Sequence, residues 1–128
     1  MTLTKCIELA LANAGLSSAA ATFQTKARDY INLGCKEISA VKEWRWLFAE
    51  GSITTTANGS NTNWTVQLWP TPDTNSETIK YRYRKYIADF TSSNDATELD
   101  TLGLPDWVQT AVMYYAAAKI MQEKQDAE

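Results

Sequence analysis

Residues 44–48 read Trp-Arg-Trp-Leu-Phe, and this run constrains the fold more than any other part of the chain. Four large apolar side chains in five positions cannot all reach one core from a single helical turn, because successive helical residues point about 100° apart. The chain has to turn a corner there. Before the run, apolar residues recur at three and four positions; after it they alternate. The run is read as the hinge where a helix becomes a strand, with both indoles capping the core. Trp44 and Trp46 are also candidates for a subunit contact, since tryptophan is favoured at protein interfaces.

Upstream of the hinge the pattern predicts two helices. The first spans about residues 3–14, with Thr2 as its cap and Leu3, Cys6, Ile7, Ala10 and Ala14 on one face. Gly15 is placed to end it in the left-handed conformation. Ser17 and Ser18 are expected to cap the second helix, at about 20–45. Its apolar stripe is Phe23, Ala27, Tyr30, Ile31, Cys35, Ile38 and Val41. A helix of that length would run on the order of 39 Å, long for a bundle built from 128 residues. It would project or line an interface with neighbouring copies. Gly34 on this helix is expected to allow close packing against the first.

Downstream, residues 51–87 form a β region. Residues 51–56, 64–69 and 78–87 read as three strands, with a polar turn at 57–63 and a proline break at 70–73. They are expected to form an antiparallel meander in sequence order. A polar loop, 89–103, precedes a final helix at about 105–122. Pro105 and Asp106 suit its first turn. Its buried stripe is expected to be Trp107, Val108, Ala111, Val112, Tyr115, Ala118 and Met121. Residues 123–128 are left as a short tail. The whole reads as one α+β domain, mainly α, with the C-terminal helix packed on the two N-terminal ones.

The residues that usually do chemistry are scarce. The chain has no histidine, which removes the commonest general base and metal ligand. Serine–histidine and cysteine–histidine nucleophilic sites are excluded with it. Cys6 and Cys35 are far apart, fall on apolar stripes, and read as buried reduced thiols rather than a zinc site or a secreted scaffold. No glycine-rich phosphate loop occurs. Carboxylate pairs such as Glu43 with Glu50, or Asp95 with Glu98 and Asp100, read as solvated. No catalytic residue, cofactor or metal is therefore expected. The start has no signal-peptide run, and no stretch is long enough to span a bilayer. Two glycosylation-like triplets, at Asn58 and Asn63, read as turn chemistry only.

The third strand alternates sharply: Lys80, Arg82 and Arg84 face one way, Ile79, Tyr81 and Tyr83 the other. Basic and aromatic residues on opposite faces make a poor platform for stacking nucleic-acid bases. The plain reading is a solvent face over an aromatic core face. The other is contact with an acidic patch of a neighbouring chain, with Asp95, Glu98 and Asp100 as its candidates. A net charge of −3 argues against a free-standing nucleic-acid binder.

Taken in order, these pieces resemble a known family. Two N-terminal helices end in Trp44-x-Trp46-Leu47. Then come Leu68-Trp69-Pro70-x-Pro72, Ile79-x-Tyr81-x-Tyr83-x-x-Tyr86, and Leu104-Pro105 opening a helix that contains Ala116-Ala117-Ala118. The chain resembles the head–tail adaptor (connector, or neck) proteins of tailed bacteriophages along nearly its whole length. The resemblance implies a non-enzymatic structural protein of the virion, present in the host cytoplasm during assembly. It implies a dodecameric ring under the portal protein that extends the DNA channel, without sequence-specific DNA contact, and docks a stopper or tail protein. It places Lys119, Gln122, Glu123, Lys124, Gln125 and Asp126 at the portal. The alternative is another phage assembly module, such as a tail or baseplate component.

Overall fold

The computed structural model describes residues 1–54 and 77–127. They fall into two compact units: a helical one, Met1–Trp46 with Tyr86–Glu128, and a β one, Leu47–Lys85.

The helical unit contains α1 (Leu3–Asn13), α2 (Ala21–Val41) and α3 (Asp106–Asp126). The Thr2 side chain accepts from the Lys5 N–H at 3.2 Å, closing the first turn of α1. Gly15, at φ 74°, ends the helix, and the Leu16 N–H donates back to the Leu11 carbonyl. The core gathers Leu3, Cys6, Ile7, Ala10 and Leu11 of α1 with Ala27, Ile31 and Cys35 of α2. From α3 come Val108, Val112, Met113, Ala116 and Ile120, and from the loop before it Phe90, Leu99 and Leu104. Burying each large aliphatic side chain contributes roughly 1.5–3 kcal/mol, so this three-helix contact dominates the unit's stability.

That loop is tied down along its length. Carbonyls of Thr97 and Asp95 accept from the N–H groups of Leu3 and Thr4, and the Leu99 N–H donates to the Met1 carbonyl. The first turn of α1, which has no intrahelical acceptors, is thereby satisfied. Asn32 of α2 exchanges two hydrogen bonds with the Phe90 backbone, at 2.8 and 3.0 Å. Thr91 and Asn94 close a capping box around a short 3-10 turn, Ser92–Asn94.

The β unit pairs β1 (Phe48–Thr54) with β2 (Thr78–Arg84) antiparallel, Glu50 opposite Arg82 and Gly51 opposite Tyr81. One face carries Phe48, Glu50 and Ser52 with Lys80, Arg82 and Arg84. The other carries Ala49, Gly51 and Ile53 with Ile79, Tyr81 and Tyr83. The Tyr81 ring lies directly over Gly51, where any Cβ would collide with it.

The structure corrects several expectations. The sheet has two strands among the described residues, not three, and the first and last predicted strands pair directly. A meander in sequence order would have separated them. The expected turn at 57–63, the strand at 64–69, the break at 70–73 and both glycosylation-like triplets lie outside the described residues, as does Glu128. Helix α2 stops at Val41, where Lys42 turns fully extended, so it is about 31 Å long. Residues 45–47 form a separate 3-10 turn running into β1, which begins at Phe48 rather than Gly51. Ala20, not a serine side chain, stands at the start of α2. Helix α3 continues through the expected tail to Asp126. Gly34 packs against α3 rather than α1: a Cβ there would sit 2.9 Å from Tyr115 Cδ1. Within α3, Trp107, Met121 and Ala118 are exposed, and Gln109, Met113, Ala116, Ala117 and Ile120 are buried instead.

Candidate interaction surface

The hinge residues meet a third tryptophan. The extended backbone at Lys42 releases Trp44 from the helix, and its Nε1 donates back to the Ile38 carbonyl. Trp44 then lies 5.0 Å from Trp107, the rings tilted by 53°. Trp46 meets Trp107 edge-on at 6.4 Å. Such pairs contribute about 0.5–1.5 kcal/mol each beyond their buried area. Lys42 Nζ stands 4.1 Å over the Trp44 ring. Trp46 Nε1 is buried with no hydrogen-bond acceptor among the described residues, whereas Trp107 is 49% exposed. The cluster is thus anchored on one side and open on the other. Sequence reasoning found Trp44 and Trp46 but assigned Trp107 to the core. Its place on the first turn of α3, about half-way round the helix from Val112 and Ala116, was the available signal.

The basic residues of β2 are exposed, with Arg82 lying over the Phe48 ring at 5.0 Å. The opposite face is not a core face, contrary to expectation: Tyr81 and Tyr83 are 45% and 46% exposed and touch each other at 5.8 Å. A two-stranded sheet has too little surface to bury either side by itself. The β unit therefore offers an arginine-rich face and a tyrosine face.

The acidic candidates have partners within the helical unit. Asp95 receives Arg28 through both of its carboxylate oxygens, at 2.8 and 2.9 Å from one guanidinium nitrogen. Glu98 pairs with the Met1 amine at 3.2 Å. Asp100 accepts from the buried Gln109 amide, which also donates to the Leu104 carbonyl at 2.8 Å. These three carboxylates fasten the loop to α2, to Met1 and to α3.

At the far end of α3, Lys119, Gln122, Glu123, Lys124, Gln125 and Asp126 stand on one continuous helix. Glu123 accepts from Lys26 and, at 2.9 Å, from the Tyr30 hydroxyl. The Lys26 hydrogen bond, and then the one from Tyr30, hold the Glu123 carboxyl below its usual range. The same contact raises Lys26 and Tyr30. Beside this trio an apolar cavity of about 240 Å³ opens between Leu11, Leu16, Phe23 and Ile120.

Both thiols are buried, and burial pushes Cys6 and Cys35 up to about 12. Such groups are poor nucleophiles at neutral pH. Among the described residues no cluster of cysteine, aspartate and glutamate could hold a metal ion. None of the described helices is long and apolar enough to cross a membrane. No protein-family model, curated protein or solved structure matches this chain.

Proposed function

We propose that this chain is a structural, non-enzymatic assembly protein, and that it acts as a head–tail adaptor of a tailed phage. In this reading, copies join in a ring beneath a portal protein, DNA passes through the lumen, and a stopper or tail protein docks below. The observation that carries the reading is the amount of large aromatic surface left open on a chain with ordered elements. Trp107, Tyr81, Tyr83 and Tyr86 are all exposed, and exposed aromatic surface of this kind marks protein contacts. The tryptophan cluster and the basic strand Lys80, Arg82 and Arg84 are the proposed subunit contacts. The acids Asp95, Glu98 and Asp100 serve the fold first and lend only residual charge to a neighbour. The end of α3, Lys119 to Asp126, is the proposed portal contact, presented as rigid helix rather than a tail.

Removal of residues 119–128 tests the portal contact. The shortened chain, checked for folding by circular dichroism, is expected to lose binding to the portal protein encoded with it. Undiminished binding would contradict that assignment.

A further inference from the structure

We propose that the cavity at the end of the helical unit where α3 finishes is a binding site for a small amphipathic carboxylate, a short alkyl chain or single ring system carrying one acid group. The inference does not rest on the adaptor reading. Three segments build the cavity. Helix α1 ends at Asn13, and past Gly15 the Leu16 N–H donates back to the Leu11 carbonyl, which folds Leu16 toward Leu11. Helix α2 begins at Ala21 and presents Phe23 and Lys26 three positions apart. The last turns of α3 add Ile120, Glu123, Lys124 and Ala127, at the three-and-four spacing of one helix face. Leu11 and Ile120 are buried, and Leu16 and Phe23 pack partly buried against the same core.

Size and charge select the ligand. The cavity measures about 240 Å³. A cavity of about 150 Å³ with an aliphatic and aromatic lining takes benzene, so on that scale this one takes roughly nine carbons. It falls below the range of about 300–1,000 Å³ usual for cofactors and larger ligands. Three ionisable side chains line it, Lys26, Glu123 and Lys124. Both carboxylate oxygens of Glu123 are engaged, Oε1 by Lys26 and Oε2 by the Tyr30 hydroxyl at 2.9 Å. Lys26 is compensated by the same pair. Lys124 has no ion-pair partner among the described residues, and Asp126 lies about 200° away from it around α3. The lining therefore carries one uncompensated charge, a positive one. An apolar body seated against Leu11, Leu16, Phe23 and Ile120 brings its head group to the rim beside Lys124. There a carboxylate gains an ion pair, a hydroxyl gains none and an ammonium is repelled.

Three probes that share one chain and differ in charge test this. The full chain is titrated with octanoate and followed by backbone amide chemical shifts. Saturable shifts are expected at Leu11, Leu16, Phe23, Ile120 and Ala127, with a dissociation constant on the order of 1 mM or below. Octanol is expected to bind about threefold more weakly, and octylamine more weakly still. Lys124→Glu, at an exposed position and with its fold checked by circular dichroism, is expected to reverse the order of octanoate and octylamine and to leave octanol unchanged. Octanol thus separates loss of the head-group contact from loss of the cavity. The absence of saturable shifts at the lining residues overturns the inference. So do shifts centred instead on Trp107 or on Tyr81 and Tyr83, or an order of the three probes that Lys124→Glu does not alter.

Discussion

Arg28 shows what single residues contribute here. Its side chain is 12% exposed, and it spends its charge on Asp95, which in turn stands at the start of α1. Removing one partner leaves a largely dehydrated charge, costing about 1–3 kcal/mol. Asp95→Asn is therefore expected to lower the thermal midpoint measurably, with Asp89→Asn, whose partner Lys36 is exposed, as the near-neutral comparison. The pair was not legible in the sequence. The two residues are 67 positions apart, and nothing in local periodicity distinguishes a fastening carboxylate from a solvated one. Glu123 gives a pH signature. Its folded value is lowered by Lys26 and Tyr30, so its contribution is present above the ordinary glutamate value of about 4.3. It is lost as pH falls through the lower folded value. Glu123→Gln is expected to lower the melting temperature at neutral pH and to flatten its decline on the acid side.

At the scale of elements, the contact between α2 and α3 turns on Gly34. Alanine is worth about 1 kcal/mol over glycine in a helix interior, but its Cβ would sit 2.9 Å from Tyr115 Cδ1 and 3.4 Å from its Cγ, so the ring or the helix has to shift. Overpacking of this kind costs about 1–3 kcal/mol. Gly34→Ala is expected to destabilise by about 1–2 kcal/mol in urea unfolding, and to stabilise once Tyr115→Ala has removed the ring. Helices were the legible part of this chain. Three-and-four spacing located α1, α2 and α3, and Thr2 and Gly15 marked the ends of α1 correctly. The end of α2 was misplaced because Trp44 continues the apolar spacing after the backbone has left the helix. The end of α3 was missed because polar residues at a helix terminus look the same as a polar tail. Strand order was illegible for a different reason: alternation says which residues share a face, not which strand lies beside which.

For the whole molecule, the sequence carried the class, α+β and mainly helical, together with two of the three tryptophans that form the open cluster. It did not carry the exposure of Trp107, Tyr114 and Met121 on α3. Period analysis finds one stripe per helix, and a helix with two stripes gives almost no net signal. What distinguishes the molecule at this scale is aromatic surface left uncovered on ordered elements, and the proposal is that other chains cover it. Native mass spectrometry of the chain with a candidate portal protein tests this proposal most directly. A portal assembly carrying many copies of the chain, bound at fixed stoichiometry, is expected; a chain that remains unbound beside an intact portal ring would contradict the account.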